Sequence, residues 1–551
     1  MTKIRGFKNL FPVILIAALF VVFLILGLNQ IYHQDEYRWV ALADGTATGN
    51  PHPPMTLLLL KATGLIFGYN HLRVLPAVFA VFNLILIYFI SKKLSVNKLV
   101  ALFAGFLFAF NVYSLIAGLQ IDIDGAILPF FALASYNAYL RIGDNKKFWL
   151  PLLGLALVGG FLTKLSFVLF FGALIVDYYF SQKNKSSFKF KKIVFLAASG
   201  FGVFAFLAIA FYFFSPTHFL RVVSYAEHFN SFNFGSRAYL DLAFKIIKSL
   251  VFLSPLLFFS VFYALIKPDL RHKYRFWLIY LLINFVFYTI IFDFSTLTVE
   301  RYFMFMIAPA AIIGAEILYQ LLANLKNKKD YFSVVVAVVV FLALSGLILS
   351  FSHDVLPLNP KIAYFQHLKS LNLRFLIPFT GGSGPIGFYF SAMFIFCFWL
   401  IVLLGFIGCL FWPKKQKALL TIIVSAGLVY NALFIIEFLG GKFYGNVPAL
   451  AKQTVDYVNA NPQIKEVITY YDIGPYDLRQ SGKYSSRFYT SPKRDYVPKL
   501  NTFHGHYMVV DFPSIDKGSL YWRLLNRCPV VKEFEDKKIH SYVFDCRNLK
   551  I

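Results

Sequence analysis

Ile31 to Pro54 reads I-Y-H-Q-D-E-Y-R-W-V-A-L-A-D-G-T-A-T-G-N-P-H-P-P, and the rest of the chain is understood from it. An almost charge-free apolar run, Leu10 to Leu28, stands just before it, and apolar segments recur along most of the sequence after it. Asp35, Glu36, Arg38 and Asp44, with His33 and His52 nearby, therefore sit beside a membrane segment. Charge in that position is costly unless it has a task. The stretch is predicted to be a catalytic loop, bounded at 31–72, on the outer face of a multi-span membrane enzyme.

Composition fixes the class. The chain has 551 residues, 58% hydrophobic and only 15% charged, where a soluble domain would be about a quarter charged. Aromatics make up 19%, mostly the 66 phenylalanines, which suits lipid-facing helices. The net charge of +26 could suggest nucleic acid. The excess Lys and Arg fall instead in short loops between apolar runs, where they set topology, and no basic patch stands apart from those runs. The N-terminal M-T-K-I-R-G-F-K followed by a long apolar run resembles a signal peptide, but the run is too long and no small-residue cleavage site follows. It is predicted to be a signal anchor and the first span.

A span takes about 20 apolar residues. The candidates are 10–30, 73–91, 99–117, 124–140, 148–163, 165–181, 193–214, 247–266, 276–293, 303–323, 332–351, 386–411 and 418–439, about 13 helices. If all of them cross, the basic loops at Lys92–Lys98, Arg141–Lys147, Lys183–Lys192, Lys267–Arg275, Lys326–Lys329 and Lys414–Lys417 fall on the side of the N-terminus. The positive-inside rule makes that side cytoplasmic. Asp35, Glu36, Asp122 and Asp124 then fall outside. Met55–Phe67, short and interrupted by Lys61, is predicted to be an interfacial helix, and Tyr37–Ala43 is a candidate for a second.

The composition changes at Tyr444, where charge and proline return. A helix-period stretch, Val447–Val458, precedes β-type runs at Glu466–Tyr471, Tyr507–Asp511 and Ile539–Phe544. The expectation is an all-α polytopic membrane domain over 1–443, N-terminus in and C-terminus out, followed by a small extracytoplasmic α/β domain over 444–551. Such a size can bury its own core. Cys397 and Cys409 lie in an apolar run and are expected in the core; Cys528 and Cys546 could pair if the tail is extracytoplasmic.

The residues able to carry chemistry follow. Asp35-Glu36 could serve as a general base on an acceptor hydroxyl or amine, hold a metal, or cap a helix. Asp122 and Asp124 in G-L-Q-I-D-I-D-G-A-I-L-P-F-F are two acids wedged between apolar segments, costly unless they face water or a site; alternatively, Asp124 caps the following helix. Lys164 in G-G-F-L-T-K-L-S-F could snorkel to the interface or meet a lipid phosphate. Arg301 in Glu300-Arg301-Tyr302 offers a fork suited to phosphate, or simply pairs with Glu300. His33, His52 and Asp35 lack tight ligand spacing such as H-x-x-x-H, so the sequence requires no cofactor and leaves a divalent metal open. There is no G-x-x-x-x-G-K-[ST] nucleotide loop.

Taken together these motifs resemble the GT-C glycosyltransferases of the protein O-mannosyltransferase and aminoarabinose-lipid A transferase type. D-E-Y-R-W at 35–39 matches the first outer-loop acid, H-P-P-M at 52–55 the family's Lys/His-Pro-Pro-Leu step, and I-D-G-A-I-L-P-F-F at 123–131 the second acidic motif. F-L-T-K at 161–164 and E-R-Y at 300–302 resemble later landmarks. The resemblance covers about residues 1–440 and is most specific in the first 170. It implies transfer of a sugar from a polyprenyl- or dolichyl-phosphate carrier to a protein, lipid or envelope-glycan acceptor, on the outer face of the plasma membrane, with inversion. Asp35 would be the general base or acceptor-orienting carboxylate, with Glu36 beside it among the catalytic residues, and Asp124, with Asp122, would be the second acid near the acceptor or sugar. Lys164, Arg301 and His52 would bind the donor phosphate, where positive charge stabilises the leaving group. The chain departs from the pattern at His52, where many relatives carry Lys, in the Asp122/Asp124 doublet, and at Leu165, where Gly is frequent. A transporter or flippase for a lipid-linked substrate is the alternative. It would favour inverted repeats and mid-membrane charge, whereas no repeat is evident and the key charges stand at span ends. A scaffold whose tail binds a partner would make the outer acid pairs accidental.

Overall fold

The computed structural model describes residues 2–33, 35–183, 190–229, 239–292, 300–325, 327–357, 362–380, 384–470, 473–488, 502–511 and 515–548. The chain divides into two compact units. The first comprises Met1–Leu24, Trp39–Tyr331 and Val402–Val424; the second comprises Ile25–Arg38, Phe332–Ile401 and Ser425–Ile551.

Long apolar helices dominate. Among the described residues eight are long and apolar enough to cross a membrane, or up to ten if each of two sharply bent pairs is one span. The bends have physical causes. Helix Lys98–Ala109 turns by 65° into Val112–Leu119, because the Asn111 side chain accepts the Tyr113 amide at 2.9 Å and restarts the helix. Helix Tyr239–Leu253 turns by 97° into Pro255–Ile266, where proline cannot continue the ladder and Ser254 takes φ +78°. Asn111 Nδ2 donates to the Leu253 carbonyl at 3.0 Å, so one break satisfies the polar backbone exposed by the other.

Several expected spans are shorter than their apolar runs. The run 124–140 becomes a π-helical turn, Ile123–Ile127, followed by helix Leu128–Arg141. The run 276–293 becomes helix Arg275–Val286 and a second π turn, Phe287–Ile291. Apolar length alone does not reveal a change of helical pitch, because a run of apolar residues is compatible with either. Met55–Phe67 is a helix of 13 residues, and Tyr37–Ala43 is included in helix Asp35–Ala43.

The second unit holds all the described strands. Strands β1 (Asp354–Val355), β2 (Phe375–Phe379) and β3 (Phe388–Ser391) form one sheet in that order. Strands β4 (Val467–Tyr470), β5 (Tyr484–Phe488), β6 (His506–Val510), β7 (Val530–Asp536) and β8 (Ile539–Asp545) form a second, ordered β5-β4-β6-β8-β7. β4 runs parallel to β5 and β6, while β8 is antiparallel to β6 and β7. Side chains alternate between two cores, as a period of two requires. Val467, Met508 and Val510 pack with Val455 and Val458 of helix Val447–Ala460, whereas Ile468, Tyr507 and Val509 pack with Phe488, Leu525 and Phe544. Cys528 and Cys546 are joined by a disulfide in this second core, with Cα atoms 5.0 Å apart.

Candidate active site

Four of the charges singled out from the sequence meet in the first unit. None of them sits in regular α-helix; each stands at an irregularity. Asp122 is the N-cap of the π turn and accepts the Ile123 amide. Asp124 lies inside that turn, a local widening often found at functional sites. Lys164 occupies the extended link between helix Lys146–Thr163 and the 3₁₀ turn Leu165–Phe167. Glu300 and Arg301 open the 3₁₀ turn Glu300–Met306. The alternative in which Asp124 caps the next helix does not hold: Asp122 is the N-cap, and the Asp124 side chain turns elsewhere.

It turns to Lys164. Lys164 Nζ lies 2.7 and 2.8 Å from the two carboxylate oxygens of Asp124, and both residues are buried. The ammonium also stands 4.8 Å over the Tyr302 ring and 5.9 Å over Tyr288. Burial pulls the Lys164 pKa down, but Asp124 and the two phenols outweigh it and hold the ammonium above its ordinary value. Arg301 forms an ion pair with Asp122 and lies 5.3 Å over Tyr302. Burial pushes the Asp122 carboxyl up to about 6 against the opposing pull of Arg301.

Glu300 is not the partner of its neighbour Arg301. It is buried between Lys245, whose Nζ is 3.2 Å from Oε2, and Lys248, 2.7 Å from Oε1. The two lysines are three apart on helix Tyr239–Leu253 and share a face. The Glu300 carbonyl accepts the Tyr113 hydroxyl at 2.5 Å. Sequence reasoning missed Lys245, Lys248 and Tyr113. The signal for the lysines was available, since two cations in an apolar helix demand a counter-charge.

A small recess is lined by Asp124, Arg301, Asn284, Tyr288 and Tyr302 together with Leu128, Phe167, Phe170 and Phe305. Charges and phenols thus share one recess with an apolar lining. His52 stacks on Trp39 at 5.7 Å and meets Tyr225 edge-on at 5.1 Å. Tyr225 lies within electrostatic reach of Tyr302, Arg301 and Lys164. Asn83 donates to the Ala126 carbonyl at 2.9 Å, and a Cβ on Gly125 would stand 2.6 Å from the Ala117 carbonyl oxygen, so the π turn is held by close backbone packing.

Asp35 and Glu36 belong to the second unit. Glu36 is buried, accepts the His33 amide at 3.2 Å and donates its own amide to the His33 carbonyl at 3.1 Å. The Glu36 carboxylate thus satisfies a backbone amide just before helix Asp35–Ala43, as an acid near a helix start can. Asp35 is the more exposed acid and pairs with Arg38 at 2.8 Å. Among the described residues no three His, Cys, Asp or Glu side chains gather as a metal site.

The family model for dolichyl-phosphate-mannose-protein mannosyltransferases matches residues 51–212, which include His52, Asp122, Asp124 and Lys164. No curated protein matches the sequence. Among solved structures, apo ArnT from Cupriavidus metallidurans aligns over 98% of both chains at 14% identity and a TM-score of 0.52. The same protein bound to undecaprenyl phosphate aligns over 96% of this chain and 97% of that one, at 16% identity and a TM-score of 0.50. At such identities the likeness is one of fold, and it extends over nearly the whole length.

Proposed function

We propose that this chain, which has the fold of ArnT and resembles the GT-C glycosyltransferases of the protein O-mannosyltransferase and ArnT type, is a membrane glycosyltransferase using a polyprenyl-phosphate-linked sugar. The observation that carries the reading is the pair of buried ion pairs Asp122–Arg301 and Asp124–Lys164, of which Asp124 and Arg301 line an apolar recess. An amphiphile with an anionic head and a hydrocarbon tail has both parts matched there. Arg301 and Lys164 are assigned to the donor phosphate, where they stabilise the charge that develops as the sugar leaves. His52 supports that side through Trp39 and Tyr225. Asp124 and Asp122 hold the two cations in place until the phosphate competes for them. Asp35 takes the acceptor's proton, the acceptor being a protein, lipid or envelope-glycan hydroxyl or amine, and the displacement inverts the anomeric centre. Glu36 is assigned to shaping the Asp35 turn. The reading uses no metal and no nucleotide.

We assign the site to the extracytoplasmic face of the plasma membrane, with the N-terminus inside, about 13 membrane-embedded helical segments, a membrane domain over 1–443 and an outer domain over 444–551. Ion pairs in the first unit support the sidedness. Lys93 pairs with Asp144 and Lys417 with Asp330 at the loops expected inside, and Arg275 and Lys273 of another such loop pair with Asp177 and Glu316 of neighbouring helices. Asp122, Asp124, Lys164, Glu300 and Arg301 join the loops expected outside. The Cys528–Cys546 disulfide suits an oxidising compartment.

The test is transfer in washed membranes from radiolabelled polyprenyl-phosphate sugars, comparing the unaltered chain with Asp35→Asn, Asp124→Asn and Lys164→Met. Transfer by the unaltered chain alone supports the assignment. Transfer retained by all three variants refutes the site.

A further inference from the structure

We propose that Arg487 and Arg479 are positioning residues that set the Asp35 carboxylate, acting through Tyr37; the inference rests on the assignment of Asp35 as the proton acceptor. The sequence separates these residues by more than 400 positions, yet in the second unit the stretch carrying Asp35 is built into the C-terminal sheet region. Ile31 is buried in the same core as Val447, Leu450 and Val467. Tyr32 meets Tyr476 edge-on at 5.3 Å. His33 forms an antiparallel bridge with Ile473. On the other side of Asp35, the Tyr37 hydroxyl accepts from Arg487 of β5 at 3.1 Å. Arg479, on helix Pro475–Gln480, lies 5.3 Å over the Tyr37 ring and 4.8 Å over Tyr484.

The acid is therefore gripped two residues before and two residues after its own position. His33 is fixed by backbone pairing, and Tyr37 by a charged hydrogen bond and a cation–π contact, each worth most where water is excluded. Tyr37 is buried, so its ring has one packing arrangement rather than several. With both flanks fixed, the first turn of helix Asp35–Ala43 is fixed, and Arg38 then holds the Asp35 carboxylate from one turn on. A base whose backbone is ordered in advance loses less entropy on reaching its near-attack position. The C-terminal region is on this account part of the catalytic apparatus.

The experiment uses the full chain in washed membranes for kinetics and in lipid nanodiscs for amide hydrogen exchange. The variants are Tyr37→Phe, Arg487→Ala, Arg487→Lys and the double Tyr37→Phe/Arg487→Ala, with Asp35→Asn as reference. Loss of one charged hydrogen bond predicts that Tyr37→Phe and Arg487→Ala each lower kcat about tenfold and speed exchange over 35–43 by a similar factor. KM for the labelled polyprenyl-phosphate sugar stays unchanged, Arg487→Lys recovers part of the loss, and the double variant is no worse than the more impaired single variant. Exchange over 35–43 unchanged in both single variants overturns the proposal whatever the transfer result. Full kcat in those variants while Asp35→Asn is inactive overturns it as well, and leaves the base assignment standing. Asp35→Asn transferring at the full rate overturns that assignment instead.

Discussion

Replacing Asp124 by Asn removes the only carboxylate on Lys164 Nζ among the described residues and keeps the shape of the side chain. Lys164 is buried, so the ammonium left behind has two exits. It can stay charged without a counter-ion, which in measured cases costs about 3–5 kcal/mol. Or it can lose its proton, which from an ordinary pKa near 10.4 costs about 5 kcal/mol at pH 7. The cheaper exit sets the loss, so Asp124→Asn is expected to destabilise the first unit by about 3–4 kcal/mol. The Tyr302 and Tyr288 rings return part of this, on the order of 1 kcal/mol. Adding Lys164→Met removes the stranded charge, and the double variant should recover most of the stability, giving a coupling energy above about 2 kcal/mol. Unfolding of the full chain in nanodiscs, followed through intrinsic fluorescence, reads all four corners of the cycle. Transfer moves differently: Lys164→Met and the double variant should be down about 10²–10³-fold, because the phosphate contact is lost in each, and Asp124→Asn should also be down, because Lys164 keeps its charge but is no longer held in place. A single Asp124→Asn variant as stable as the parent, or a double variant less stable than either single one, refutes the buried pair. Lys164→Met with full transfer refutes the phosphate assignment.

The Asp122 carboxyl, pushed up to about 6 chiefly by burial, gives stability and activity opposite pH slopes. A folded-state pKa above the unfolded value near 3.9 contributes stability that is complete below about pH 4 and is lost as pH rises through 6, on the order of 3 kcal/mol in all. Transfer should instead fall as pH drops through 6, when protonation opens the Asp122–Arg301 pair; parallel pH titrations of unfolding and of kcat check both signs. Gly125→Ala places a methyl 2.6 Å from the Ala117 carbonyl oxygen, and should cost about 1–3 kcal/mol with loss of transfer, read by thermal unfolding and the membrane assay. Cys528→Ala opens a bridge between residues 18 apart, and should cost the second unit about 3 kcal/mol, read as earlier exchange over β6 and β8. Because Asp122 and Asp124 each carry a cationic side chain, transfer should persist in excess EDTA; loss of activity restored by a divalent cation would refute a metal-free site.

Much of the fold was written locally. Apolar runs marked the helices because lipid and core both reject charge, and the basic loops alternated with them. The three β-type runs of the tail became β4, β6 and β8, the central strands; β4 and β6 are buried on both faces, and β8 alternates between buried and partly exposed positions. The edge strands β5 and β7 escaped notice, since Tyr484–Phe488 and Val530–Asp536 are largely polar and exposed on one side. The helix breaks at Asn111 and Ser254 also escaped it, as both are flanked by apolar residues that would suit an unbroken span.

Sequence reading alone was enough to single out a handful of charges. Asp122, Asp124, Lys164 and Arg301 stand out because burying an ion in an apolar chain is expensive, and cost is a local property. Which charge answers which was decided only by tertiary structure. Asp124 takes Lys164, 40 residues away, Arg301 leaves its neighbour Glu300 for Asp122, and Glu300 takes two lysines from another helix. The same holds for the opening stretch. Its composition set it apart as a charged stretch beside an apolar run, but nothing in Ile31–Tyr37 records that its partners are Ile473, Tyr476 and Arg487. Periodicity and composition register how deeply a residue is buried; pairing over hundreds of residues is settled by loop closure and packing, which only the folded chain expresses.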